Sequence, residues 1–253
     1  MTEDQYVESI LAKYAVPRGA NSPAERLGTT VAGPIREWAG AQLKELEYSG
    51  SYAKETGVHG VSDVDLFISL KSDTRQTLKE LFDGVMEVAR SNNWSPRAQN
   101  VSVGITVNGT KADLVPGKVQ TGYQNWHSLY LRKRDSWTQT NVALHIQAVR
   151  DSGRQREIRA LKTWKVQHGV EWPSLYLELF AINALSGKSR NALAANVLHV
   201  LREAEASLTW TRIIDPGNTN NIISDDLTAT EKTRLAAIAG ESARKPTWEE
   251  IIW

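Results

Sequence analysis

Asp63 and Asp65 stand two residues apart at the head of Val64 to Leu70 (VDLFISL), a run whose β-branched and aromatic residues predict a strand. Alternate side chains of a strand share a face, so both carboxylates point one way while Val64 and Leu66 point the other. Asp113 lies between Ala112 and Leu114 in a second predicted strand. Acidic groups gathered on one sheet face repel each other, and a divalent cation that favours hard oxygen ligands, such as Mg²⁺, relieves that repulsion. Two ions bridged by carboxylates can activate a hydroxyl nucleophile and stabilise a leaving oxygen in in-line attack at phosphorus. Alone, an Asp-x-Asp pair is a weak signal, because solvated strand-edge carboxylates are commoner. Its context strengthens it. Upstream, Gly50-Ser51 falls between a short strand and a short helix predicted to begin near Tyr52. Backbone amides and a hydroxyl at a helix N-terminus make an anion site. A turn for phosphate beside an acidic strand for metal reads as a triphosphate-and-metal site.

The elements that must position these groups are legible in outline. Val101 to Val107 alternates with period two, and Asn108-Gly109 then leads into Thr110 to Val115, the strongest short-range hairpin signal. That hairpin carries Asp113. Tyr6, Ile10, Leu11 and Tyr14 recur at helical spacing. Ser22, Pro23 and Glu25 form a capped helix start, and the helix is predicted to run to about Leu46, with a strand from Leu46 to Ser51 behind it. Ser72-Asp73 is expected to cap a helix from about Thr74 to Ser91. Beyond about residue 136 the pattern turns helical, with segments at Asn141–Arg150, Gln155–His168, Ser174–Leu185 and Ala192–Ala206. A turn-rich loop, Asp215 to Asn221, and a last helix from Thr228 to Ala243 follow. The expectation is an α+β lobe over residues 1–135 and a helical lobe over residues 136–253.

Composition narrows the function classes. The 253 residues carry 30 Lys plus Arg against 29 Asp plus Glu, a net charge of +1, so phosphate recognition has to be local rather than a blanket basic surface. There is no cysteine, which excludes disulfides, a disulfide-linked partner, thiolate catalysis and Cys-ligated zinc. His59, His127, His145, His168 and His199 show no metal-binding spacing, no Walker A motif is present, and Ser49-Gly50-Ser51 is not a nucleophile elbow. Apolar runs are too short for a membrane span, and the acidic start Met1 to Gln5 lacks the apolar core of a secretory signal, so a cytoplasmic location is the expectation. Nine tryptophans against three phenylalanines read as core and groove-wall side chains. Residues 126–137 mix Trp and Tyr with Arg132, Lys133 and Arg134; this reads as a solvated linker with buried aromatics, with a grip on single-stranded nucleic acid as the alternative.

Gly50-Ser51, Ser62-Asp63-Val64-Asp65-Leu66 and Asp113 in "ADLVP" together resemble the active site of the polymerase-β-like nucleotidyltransferases. The spacing is similar to the branch that holds the cyclic-GMP-AMP synthases, the oligoadenylate synthetases, their bacterial cyclic-oligonucleotide synthase relatives and the archaeal-type CCA-adding enzymes. "REIRALKTWK" (Arg156–Lys165), "PSLYLELFAI" (Pro173–Ile182), "IIDPGNTNNI" (Ile213–Ile222) and the terminal "TWEEIIW" resemble the second lobe of that branch. The resemblance implies an α+β nucleotidyltransferase lobe with a small mixed sheet, then an all-helical lobe, with the active site in the cleft between them. It implies transfer of an NMP group from an NTP, ATP foremost, to a hydroxyl with release of pyrophosphate. The implied product is a linear or cyclic oligonucleotide second messenger of anti-phage signalling. NMP transfer onto tRNA or another RNA is the alternative, and an inactive nucleotide- or RNA-binding scaffold a third; RNA enters as acceptor or as activator. By the same resemblance Asp63, Asp65 and Asp113 bind two Mg²⁺ ions, for which Mn²⁺ can substitute, and Asp113 helps deprotonate the acceptor. Gly50 and Ser51 hold the terminal phosphates, with Lys162 or Lys165, and Ser174, contacting them from the helical lobe. Many relatives have Gly-Thr where this chain has Glu55-Thr56, which puts Thr56 in doubt as a phosphate ligand.

Overall fold

The computed structural model describes residues 1–253. The chain forms two compact units, Pro17–Lys54 with Ser62–Ile146, and Met1–Val16 with Glu55–Val61 and Gln147–Trp253. The division therefore falls later than the expected residue 135. Two short stretches from the first half, the N-terminal helix and the segment after Lys54, belong with the helical unit.

In the first unit, Ser22 caps helix α2 (Pro23–Ala39), its side chain accepting from the Glu25 N–H. The helix stops at Gly40, whose φ of +50° suits glycine, rather than running on to Leu46. That stop frees Leu43–Tyr48 to become strand β1. After the short helix α3 (Gly50–Lys54) comes β2 (Val64–Leu70), as the sequence predicts. Helix α4 (Leu78–Ser91) starts later than expected, because Thr77 and Glu80 form a reciprocal capping box that outcompetes Ser72-Asp73. Then follow β3 (Arg97–Ala98), β4 (Val103–Val107), β5 (Thr110–Gln120), β6 (Tyr123–Leu131) and β7 (Ser136–Thr140). The seven strands form one mixed sheet in the order β1-β2-β5-β4-β3, with β6 paired to β5 and β7 to β6. The Asn108-Gly109 hairpin is present, Val107 pairing with Thr110.

β6 and β7 replace the linker expected around residues 126–137. They pair antiparallel about a tight basic turn, Arg132–Arg134, closed by Asp135 at φ +45°. Aromatic and basic residues on the exposed side hide the period-two burial of His127 and Leu129. His127 lies edge-on to Phe67, ring centroids 4.8 Å apart, with Nε2 2.8 Å from the Ser69 hydroxyl and Nδ1 3.2 Å from the Asn125 carbonyl. Since a carbonyl only accepts, Nδ1 carries the proton and Nε2 accepts from Ser69. Burial pushes the imidazole down to about 4. The unfolded chain then binds the proton more readily than the fold, so His127's contribution is complete above pH about 6.5 and lost as pH falls towards 4. In thermal melts, the stability gap between wild type and His127→Gln is expected to narrow across that window; a pH-independent gap would contradict the assignment.

The helical unit contains α1 (Glu3–Lys13), α5 (Val142–Ser152, whose first turns belong to the other unit), α6 (Gln155–Gln167), α7 (Ser174–Ala184), α8 (Leu193–Ser207) and α9 (Ala229–Ala243). The Asp215–Asn221 loop is instead the tip of a small hairpin, β8 (Ile214–Asp215) with β9 (Asn218–Ile222), in which the Asp215 carboxylate accepts from the Gly217 N–H and the Asn221 amide. Trp164, Trp172, Tyr176 and Phe180 pack edge-on as the centre of the core, joined by Val7, Ile10 and Leu11 of α1. The tryptophans are thus core where they are buried, whereas Trp137 and Trp210 are exposed. No helix is long and apolar enough to cross a membrane.

Candidate active site

The acidic site lies within the sheet unit. β2 and β5 run parallel, with Asp65 directly opposite Asp113 in the register, Val64 opposite Ala112 and Leu66 opposite Leu114. Val64 and Leu66 are buried, Asp63 is exposed and Asp65 half-buried, which is the alternation the strand period demands. The hairpin brings Asp113 into place, and β4 sets Gly104 beside it. Asp63 and Asp113 share a cavity of about 150 Å³ that Arg97 and Lys111 also line.

Gly50 opens α3 at φ +53°, and a methyl group there would overlap the Asp65 carboxylate. The Ser49 N–H donates to the Asp65 carbonyl at 2.8 Å, and the Ser51 N–H donates to the Asp65 side chain. The Gly-Ser turn is therefore bound to the acidic strand by its own backbone. Gly50→Ala is expected to push the carboxylate aside and lower turnover about a hundredfold, the usual cost of misplacing a reacting group by an ångström. Steady-state kinetics on the folded variant checks this.

Electrostatics mark these groups apart. Burial, then the Asp113 charge, pushes Asp65 up to about 6, against the opposing pull of Lys54 and the Ser51 amide. Asp113 is also raised, by burial and by Asp63, against Arg97 and hydrogen bonds from Gln99 and Ser102. No three His, Asp or Glu side chains converge tightly enough to cage an ion unaided, and Asp113 Oδ1 accepts from the Gln99 amide at 2.6 Å. The donor chemistry nonetheless suits a hard divalent cation: two carboxylates in register, a third at the strand mouth, and protonation pushed upwards by like charge.

Within the helical unit, Lys162 is buried. Its ammonium donates to Glu178 Oε1 at 2.6 Å and to the Thr56 hydroxyl at 3.0 Å, and that hydroxyl donates to the same Glu178 oxygen at 2.8 Å. The phosphate contact expected of Lys162 would require this buried pair to break, so the structure gives the residue a different, internal role. Thr56 is fully buried in the same triad, while Glu55 adopts φ +62° and pairs with Arg150 at 3.0 Å. Lys165 donates to the Trp172 carbonyl at 2.7 Å and is held below its ordinary range by burial. Ser174 is exposed as the first residue of α7. Sequence reasoning missed Gln99, Arg97 and Glu178, because nothing in the local pattern identifies a polar residue as the partner of a distant charge.

The parallel pair of strands carrying opposed aspartates, with a Gly-Ser turn bonded across them, stands in a fold that solved structures share. The structure of the CD-NTase CdnG from Bradyrhizobium diazoefficiens in complex with GTP superposes over 96% of this chain and 90% of its own, with a TM-score of 0.80 at 12% identity. That of Escherichia coli MS115-1 CdnC with ATP covers 98% and 96%, with a TM-score of 0.76 at 18% identity. Among curated proteins, the cyclic AMP-AMP-AMP synthase of Escherichia coli (strain MS 115-1) is 26% identical over 180 residues. That alignment takes in 65% of this chain but only 56% of the relative, so it spans little more than half of the curated protein's length. No family model matches the chain.

Proposed function

We propose that the chain is a metal-dependent nucleotidyltransferase that moves an NMP group from an NTP to the hydroxyl of a second nucleotide, releasing pyrophosphate, to make a linear or cyclic oligonucleotide signal. The observation that carries this reading is the Asp65–Asp113 register beside Gly50-Ser51. A cyclic AMP-AMP-AMP synthase among the curated relatives supports ATP as the donor.

Asp63, Asp65 and Asp113 would hold two Mg²⁺ ions, which when bound supply Lewis-acid polarisation at the phosphorus and a more acidic acceptor hydroxyl. The chain's own groups do the rest. The Ser51 hydroxyl and the α3 turn hold the terminal phosphates. Asp113, whose proton affinity burial and Asp63 both raise, accepts the proton from the attacking hydroxyl. Arg97 and Lys111, lining the cavity with Asp63 and Asp113, neutralise phosphate charge next to the reacting centre.

Labelled ribonucleoside triphosphates incubated with the protein and Mg²⁺, with and without tRNA, test the reading by thin-layer separation and mass spectrometry. Oligonucleotide plus pyrophosphate without RNA is the expected outcome. Label that moves only when tRNA is present would replace it with RNA end-transfer. Inertness with all four triphosphates in both Mg²⁺ and Mn²⁺ would favour a binding scaffold.

A further inference from the structure

Resting on the reading just given, we infer that Gln99 is a positioning residue that sets the orientation of Asp113 for its cation, and that the basic turn at Arg132 holds Gln99 in place. The Gln99 side chain donates to Asp113 Oδ1 at 2.6 Å, and Ser102 also hydrogen-bonds that carboxylate, so its orientation is set by groups of the loop before β4. Both groups sit over Gly104. A Cβ at that glycine would come within 2.9 Å of the Gln99 amide nitrogen and 3.2 Å of Asp113 Oδ1, so β4 lacks a side chain where the amide must reach the acid.

The amide itself is held from the other side. Its oxygen accepts from the Ser102 hydroxyl at 3.2 Å, which fixes which end of the group faces Asp113. Arg132 Nε donates to the Gln99 carbonyl at 2.9 Å, the Arg132 N–H donates to the Asn100 carbonyl at 2.9 Å, and the Lys133 N–H donates to Asn100 Oδ1 at 3.1 Å. A turn between β6 and β7 thereby clamps the short loop between β3 and β4, and through it the third acid of the site. Ligand carboxylates are commonly held by such outer partners, whose loss lowers metal affinity about 10- to 100-fold.

The test is Mn²⁺ binding to the nucleotide-free protein, followed by electron paramagnetic resonance of the free ion and by calorimetry, for wild type, Asp113→Asn, Gln99→Leu, Arg132→Ala and Ser102→Ala. Gln99→Leu is expected to weaken Mn²⁺ binding about tenfold or more with an unchanged melting temperature, with Arg132→Ala and Ser102→Ala shifting it less in the same direction. In activity assays the deficit in Gln99→Leu should shrink as Mn²⁺ is raised, whereas kcat at saturating metal stays within a fewfold of wild type. Unchanged Mn²⁺ affinity in Gln99→Leu overturns the inference, as does a loss of affinity that only parallels a loss of fold; if Gln99→Leu does not fold, unchanged affinity in both Arg132→Ala and Ser102→Ala overturns it instead. If wild type binds no Mn²⁺, the metal-dependent reading itself fails. If wild type binds and Asp113→Asn does not, while Gln99→Leu binds normally, only the positioning role is lost.

Discussion

Asp65→Asn is expected to remove nucleotidyl transfer, by about a thousandfold or more, and at the same time to raise the melting temperature of the metal-free protein. The two effects share one cause. Burial and the facing Asp113 push the Asp65 carboxyl up to about 6. An acid raised above its unfolded value binds its proton more tightly in the fold, so its ionised form costs stability at neutral and alkaline pH. That cost is relieved as pH falls from above 6 towards 4. Two pKa units correspond to about 3 kcal/mol, and partial solvent screening brings the expected gain at pH 8 to about 1–2 kcal/mol, or a few degrees in a chain of this size. Added Mg²⁺ should reverse the order, stabilising wild type and leaving the variant unmoved, because an ion that binds only the fold shifts the melt by mass action. Calorimetric melts at pH 8 with and without Mg²⁺ check it. A variant that keeps a tenth of wild-type activity, or melts below wild type without metal, would remove Asp65 from the proposed role.

Lys162→Met should destabilise the fold by about 3–5 kcal/mol, because it removes the ammonium that donates to the buried Glu178 carboxylate at 2.6 Å. Both side chains are almost wholly shielded, at 3% and 0% exposure. A melting temperature lower by about 10 °C is the expected reading. Adding Glu178→Leu should recover only part of that loss, since Thr56, itself fully buried, then keeps a hydroxyl with neither partner. The triple variant that also carries Thr56→Val should regain most of it. A single variant that melts within a degree or two of wild type would show that Lys162 is not tied to Glu178 in solution, and would return it to the phosphate-binding role its sequence context suggests. The triad also fixes the segment that includes Thr56 to the helical unit, and the same segment runs on through Ser62 into Asp63 and Asp65.

What the sequence determined by itself was local. Strand period put Asp63 and Asp65 on one face, Asn108-Gly109 turned the chain so that Asp113 returned on a strand, and the helical spacings after residue 140 were those of α5 to α9. Each follows from bonds and sterics within a few residues, which any stretch of chain expresses before it packs. The tertiary structure alone decided which strands pair. Nothing local says that β2 lies parallel to β5 with Asp65 opposite Asp113, nor that α1 joins the core around Trp164. It also decided partners. Lys162 looks like any solvated helix cation until a carboxylate 16 residues ahead and a hydroxyl 106 residues behind close around it. Gln99 gives no signal until β4 brings it over Gly104 onto Asp113. The reason is common to all four cases: a buried charge or a strand edge must be satisfied by whichever group packing delivers, and packing is a property of the whole chain.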